Sequence, residues 1–188
     1  LKAEGKQVFL DLKIHDIPNT AAQAVRALTG LGADLMTLHG SGGSAMLKAA
    51  AVAAADEARR LSVIRPKLLA VTVLTSIDAD EWKKLGHTNS ISQSVLTMAG
   101  AAKAAGMDGT VSSPHEAAEI RRLNGPDFLI VTPGIRPSFA QSDDQKRITT
   151  PKEAVQNGAT HLVVGRPITK AADPQEAARA IAEEIREV

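Results

Sequence analysis

The 188-residue chain contains no cysteine and no tyrosine, and only one tryptophan and three phenylalanines. Without cysteine there is no disulfide framework, no thiolate-ligated zinc or iron-sulfur centre and no cysteine nucleophile, a composition that fits a reducing compartment. Aromatic residues make up 2% of the chain and the formal net charge is +1, so there is little for nucleobases to stack on and no basic footprint for a polyanion. Nucleic acid is therefore not an expected partner. No apolar run reaches the roughly 18 residues of a membrane span, and the first residues lack the basic and apolar regions of a signal peptide. A cytoplasmic protein with no membrane partner is expected. What is present, 44% hydrophobic and 23% charged residues, suits one domain with a well-filled core.

Short apolar, β-branched runs recur at Val8 to Leu12, Leu35 to Leu38, Leu68 to Leu74, Gly109 to Val111, Phe128 to Val131 and Leu162 to Val164. Alanine-rich stretches with helical spacing follow them. Ala21, Ala24, Val25, Leu28 and Leu31 keep an i, i+3, i+4, i+7 pattern that stops at Gly32, a plausible C′ residue. Helix starts repeat one device: Ser113-Pro114-His115-Glu116, Thr150-Pro151-Lys152-Glu153 and Asp173-Pro174-Gln175-Glu176 each offer an N-cap, proline at N1 and glutamate at N3. Asp78 with Glu81 is the version without proline. Strands alternating with helices imply a parallel α/β sheet with right-handed crossovers, either doubly wound or closed into a barrel.

Polar clusters follow the strands on their C-terminal side: Asp11-Leu12-Lys13, His39-Gly40-Ser41, Thr75-Ser76, Ser112-Ser113, Thr132-Pro133-Gly134 and Gly165-Arg166-Pro167. The catalytic face of a (β/α)8 TIM barrel is built in that way, and no strand is followed by the G-x-G-x-x-G turn of a dinucleotide-binding sheet. A (β/α) barrel is expected, with about six of eight βα units present. Residues 1–188 are expected to form a single barrel domain that is truncated at its N-terminus. Ile135 to Thr150 is long, polar and without helix or strand pattern, the mark of a lid or binding loop, or of a solvated surface loop.

Strand alternation directs Asp11 and Lys13 to one face. Carboxylates beside a lysine favour its ammonium form, so Asp-x-Lys-x-x-Asp, completed by Asp16, suits an acid held ready for proton transfer as well as a strand-end ion pair. Asn19 or Thr20 is expected to cap the next helix, and His15 to point away from Asp11 and Lys13. His39 and His87 carry no ligand spacing. Gly165-Arg166 offers close backbone approach and a fixed forked cation for an anion such as phosphate, with Arg136, Gln145, Lys146 and Arg147 able to close over it.

The blocks Phe9-Leu10-Asp11-Leu12-Lys13-Ile14-His15-Asp16-Ile17-Pro18-Asn19-Thr20, Val71 to Ser76, Thr132-Pro133-Gly134-Ile135-Arg136-Pro137, Asp144-Gln145 and Val164-Gly165-Arg166-Pro167-Ile168-Thr169 together resemble bacterial orotidine 5'-phosphate decarboxylases. The likeness runs through the whole chain in that family's order. It implies a homodimeric (β/α)8 barrel that converts orotidine 5'-monophosphate to uridine 5'-monophosphate in pyrimidine biosynthesis, with neither metal nor organic cofactor. It also implies that Lys13 protonates C6 and that Asp11 sits beside the substrate carboxylate. Asp16, Ile17 and Thr20 would then reach the neighbouring subunit's site. Thr75 and Ser76 would meet the pyrimidine, and Pro133, Arg136, Gln145, Gly165 and Arg166 would complete the substrate contacts, the last four at the phosphate end. Members of this family begin with two further strands, which carry another aspartate and another lysine of the site. A related metal-dependent sugar-phosphate lyase, or a silent fragment that binds a phosphorylated nucleotide, are the alternatives.

Overall fold

The computed structural model describes residues 1–137 and 149–186. Six strands, β1 (Phe9–Ile14), β2 (Leu35–His39), β3 (Lys67–Val71), β4 (Gly109–Val111), β5 (Leu129–Thr132) and β6 (His161–Leu162), are hydrogen-bonded in the order β1-β2-β3-β4-β5-β6. The pairs β1/β2, β2/β3 and β5/β6 run parallel, and a parallel pair needs a crossover, which helices provide. The helices are α1 (Pro18–Thr29), α2 (Gly43–Leu61), α3 (Ala79–Lys84), α4 (Ile91–Ala104), α5 (Ala117–Asn124), α6 (Pro151–Gln156), α7 (Arg166–Thr169) and α8 (Pro174–Arg186). Among the described residues no helix is long and apolar enough to cross a membrane.

The chain divides into two compact units, Leu1–Thr72 with Thr97–Thr110, and Val73–Leu96 with Val111–Val188. In the first, Met36 and Leu38 of β2 and Leu68 and Ala70 of β3 pack against Ala21, Val25, Met46, Leu47 and Ala50 of α1 and α2. The alanines let the helices sit close to the sheet, while methionine fills the irregular space between. Pro18 opens α1, with Ile17 as its N-cap and no side chain capping it, so Asn19 and Thr20 lie in the first turn instead of capping. The helix ends at Thr29, and Leu31 is exposed, two residues beyond the apolar face.

Elsewhere in this unit, Asp34 accepts the Val8 N–H at 2.7 Å and pairs with Lys2 at 2.8 Å, which holds its carboxyl below the usual range. A Cβ at Gly42 would fall on the end of the Met46 thioether and lie 3.2 Å from the His15 ring, so a larger residue there requires the methionine to shift.

In the second unit the caps are local and mostly as expected. Asp78 accepts from Glu81 N–H at 2.9 Å, and Asp173 from Gln175 and Glu176 at 2.9 and 3.0 Å. Thr150 and Glu153 form a reciprocal capping box that opens α6. Ser113 departs from the pattern. Residues 114–116 form a turn, with Glu116 N–H on the Ser113 carbonyl, and α5 starts at Ala117. The buried Trp82 of α3 donates its indole N–H to Asn89 O at 3.0 Å and stacks on His87 with ring centroids 3.5 Å apart. Arg121 of α5 spreads one guanidinium over the carbonyls of Gly125, Pro126, Phe128 and Gly158, at 2.7 to 3.1 Å.

Candidate functional site

One charged constellation of the first unit lies on β1. Phe9 pairs with Leu35 and Leu10 with Met36, but the next partners are Ile14 and Leu38, so four steps along β1 match two along β2. This irregularity contains Asp11, Leu12 and Lys13 and breaks the alternation on which the expected facing of these residues rests. Lys13 adopts φ 51°, a left-handed conformation that costs an L-residue roughly 1–2 kcal/mol. The two charges nonetheless meet, with Lys13 Nζ 2.6 Å from Asp11 Oδ2. Both side chains remain partly open to solvent, at 39% and 48%.

Thr37, fully buried on β2, closes this arrangement. Its hydroxyl accepts the Lys13 backbone N–H at 2.9 Å and donates to Asp11 Oδ1 at 3.0 Å. The His15 ring lies 5.2 Å from that of His39 at the end of β2. Burial lowers the pKa of His39. The nearby His15 and Lys13 charges lower it further, against the opposing pull of Asp11. No motif marks Thr37, and the spacing of the two histidines gives no sign that their rings meet. A lone polar residue within the apolar run Leu35-Met36-Thr37-Leu38 was the available signal for Thr37.

Just beyond β1, Asp16 accepts the N–H of Ile17 at 2.7 Å, which fixes the turn into α1. Asp16, Ile17 and Thr20 are all exposed, and Ile17 retains 66% of its surface. A shallow cleft of 470 Å³ is lined by His15, Asp16, Ile17, Pro18, Ser41 and Gly42.

The remaining candidates belong to the second unit. Thr75 is buried and Ser76 exposed in a turn closed by Ile77 N–H on Leu74 O, because β3 ends at Val71 rather than at Leu74. Pro133 is half-buried after β5. Arg136 is buried, donates from Nη1 to Ile135 O at 3.0 Å, and has its N–H on Thr149 O. That bond and the Ile135–Thr149 bridge join the two ends of the expected loop. Gln145, Lys146 and Arg147 lie outside the described residues. Gly165 precedes α7, and its carbonyl accepts from Ile168 and Thr169, while Arg166 is half-buried at the first position of that helix. Among the described residues no group of three or more His, Asp or Glu side chains is placed to hold a metal ion.

A family model described as "Orotidine 5'-phosphate decarboxylase / HUMPS family" matches residues 1–181. Among curated proteins, the orotidine 5'-phosphate decarboxylase of Trichlorobacter lovleyi is 54% identical over 185 residues, covering 98% of this chain and 76% of the relative. That of Moorella thermoacetica is 50% identical over 186 residues, covering 98% and 74%. Among solved structures, the Lactobacillus acidophilus orotidine 5'-phosphate decarboxylase superposes with a TM-score of 0.85 at 42% identity, covering 98% of this chain and 77% of that one. The Pyrococcus horikoshii OT3 enzyme does so with 0.71 at 27% identity, covering 98% and 76%. The six parallel βα units are accordingly those of the (β/α)8 barrel class. With the Asp11-Lys13 pair on the first of these strands and the match extending over residues 1–181, the chain belongs to the orotidine 5'-phosphate decarboxylase / HUMPS family.

Proposed function

We propose that this protein decarboxylates orotidine 5'-monophosphate to uridine 5'-monophosphate, with Lys13 as the acid. The bond between C6 and the carboxylate carbon breaks, carbon dioxide leaves with its oxygens, and the electron pair left on C6 takes a proton from the Lys13 ammonium. Solvent then reprotonates the amine. A free carbanion at C6 is far too unstable in water, so catalysis requires charge placed to meet it only as it develops. Each tenfold gain in rate corresponds to about 1.4 kcal/mol of barrier. The observation that carries this reading is the Lys13 ammonium lying 2.6 Å from the Asp11 carboxylate.

In this reading Asp11 sits beside the substrate carboxylate, and Thr75 and Ser76 meet the pyrimidine. Pro133, Arg136, Gln145, Gly165 and Arg166 complete the substrate contacts, the arginines as fixed forked cations suited to phosphate. Binding energy gathered at the phosphate is then available to order charged groups around the reacting carbon. Asp16, Ile17 and Thr20 serve the site of a second subunit in a homodimer. Their exposure, and that of an apolar side chain as large as Ile17, supports this.

The test is the ultraviolet absorbance change of orotidine 5'-monophosphate with the wild-type protein and with Lys13→Ala, each in the presence of a chelator. Turnover that resists the chelator and disappears in Lys13→Ala is the expected result. Undiminished turnover in Lys13→Ala would remove the lysine from the chemistry, and turnover abolished by the chelator would favour a metal-dependent reaction.

A further inference from the structure

The hydroxyl of Thr37 occupies a position that the proposed chemistry does not use directly. An amide N–H can only donate, so toward Lys13 N, at 2.9 Å, the hydroxyl must accept. Its single proton is thereby committed to Asp11 Oδ1 at 3.0 Å. The other oxygen of the same carboxylate meets Lys13 Nζ at 2.6 Å. The result is a closed ring: Lys13 backbone, Thr37 hydroxyl, Asp11 carboxylate, Lys13 ammonium. Of its three residues only Thr37 is buried, with Met36 and Leu38 beside it also buried. The charged side chains, half open to water, have little packing of their own to hold them. A β-branched residue on a strand has few rotamers, so the hydroxyl direction is set by the sheet.

The irregular pairing of β1 raises the importance of this bond. Between Leu10 and Ile14 the strand leaves its regular register with β2, and the Lys13 N–H is taken by a side chain of β2. The same hydroxyl therefore fixes both the unusual backbone of Lys13 and the orientation of the carboxylate facing its ammonium. We infer that Thr37 is a positioning residue for the proton transfer, acting through Lys13 and Asp11 without touching substrate. This inference rests on the role proposed for Lys13.

The experiment compares Thr37→Val, which keeps the shape and removes both hydrogen bonds, with Thr37→Ser, which keeps the hydroxyl. Steady-state decarboxylation and hydrogen exchange of the Lys13 amide are measured on the same samples. Expected for Thr37→Val is a kcat about 10- to 100-fold lower, since small misplacements of reacting groups carry costs of that size. KM should stay within about threefold, because no ground-state contact is removed. The Lys13 amide should exchange faster. Thr37→Ser should recover most of kcat and the amide protection. A Thr37→Val enzyme with wild-type kcat overturns the inference, as does a Thr37→Ser enzyme as impaired as Thr37→Val, which would assign the effect to the lost methyl group. If Thr37→Val does not fold, Thr37→Ala against Thr37→Ser makes the same comparison. A wild-type enzyme that leaves orotidine 5'-monophosphate unchanged overturns the functional reading itself, whatever the Thr37 variants do.

Discussion

Asp108 receives the Arg65 guanidinium Nη1 on both carboxylate oxygens, at 2.9 and 2.7 Å, and accepts the backbone N–H of Leu68 at 2.8 Å. The Asp108 N–H returns a bond to the Leu68 carbonyl at 2.9 Å. The start of β3 is thus tied to the residue that precedes β4 by main chain and side chain together.

Removing that carboxylate leaves the Leu68 strand amide without its acceptor and deprives the partly buried Arg65 of its counter-charge. Asp108→Ala is expected to destabilise the protein by about 2 kcal/mol, and Asp108→Asn, which keeps an oxygen for the Leu68 amide, by less. Urea denaturation followed by circular dichroism provides the comparison. Equal midpoints for Asp108→Ala and wild type would show the pair to be ornamental.

His39 sets an acid limit on stability. Its folded-state pKa lies below the ordinary 6.5, through burial first and the positive charges of His15 and Lys13 second. The unfolded chain therefore binds a proton that the native protein resists. The contribution to stability is complete above about pH 6.5 and is lost as pH falls through the lower folded value. His39→Gln is expected to flatten the decline in melting temperature on acidification. A variant that retains the wild-type decline over that interval would assign it to other groups.

Gly158 has φ 95°, and a Cβ there would stand 3.3 Å from the Cβ of Arg121, whose guanidinium bonds the Gly158 carbonyl. Gly158→Ala is therefore strained twice, by conformation and by contact, and is expected to cost about 1–2 kcal/mol. Arg121→Lys should also destabilise, because an ammonium cannot reproduce a fork spread over four carbonyls. Thermal unfolding of the two variants tests this, and unchanged transitions in both would contradict it.

If Asp16 serves a partner's site, Lys13→Ala and Asp16→Ala subunits, each inactive alone, should regain partial activity when mixed. A heterodimer of the two contains one site assembled wholly from intact residues. Mixed dimers verified by tagged purification that remain inactive would confine Asp16 to its own subunit.

The parts of this fold visible in the sequence are those determined over a few residues. The capping box at Thr150 and Glu153 and the caps at Asp78 and Asp173 need only the residues that follow them, and they form as spaced. Asp11 and Lys13 are likewise near neighbours whose charges meet. Ser113 failed as a cap because a turn intervenes before Ala117. The contribution of Thr37 depends on a partner 24 residues away and on a strand that departs from period two, neither of which has a local signature. The pairing of His15 with His39 was missed for the same reason, since alternation along β1 does not survive its irregular register.

The stack of Trp82 on His87 has a practical consequence. As the chain's single tryptophan, it is an intrinsic fluorophore whose emission originates in the second compact unit alone. Its indole is shielded from water and lies against the His87 imidazole. Loosening of α3 should therefore appear as a red shift without any label. The unit that carries Lys13 and Asp11 is optically silent at those wavelengths, so a tryptophan placed there would be read against a background already understood.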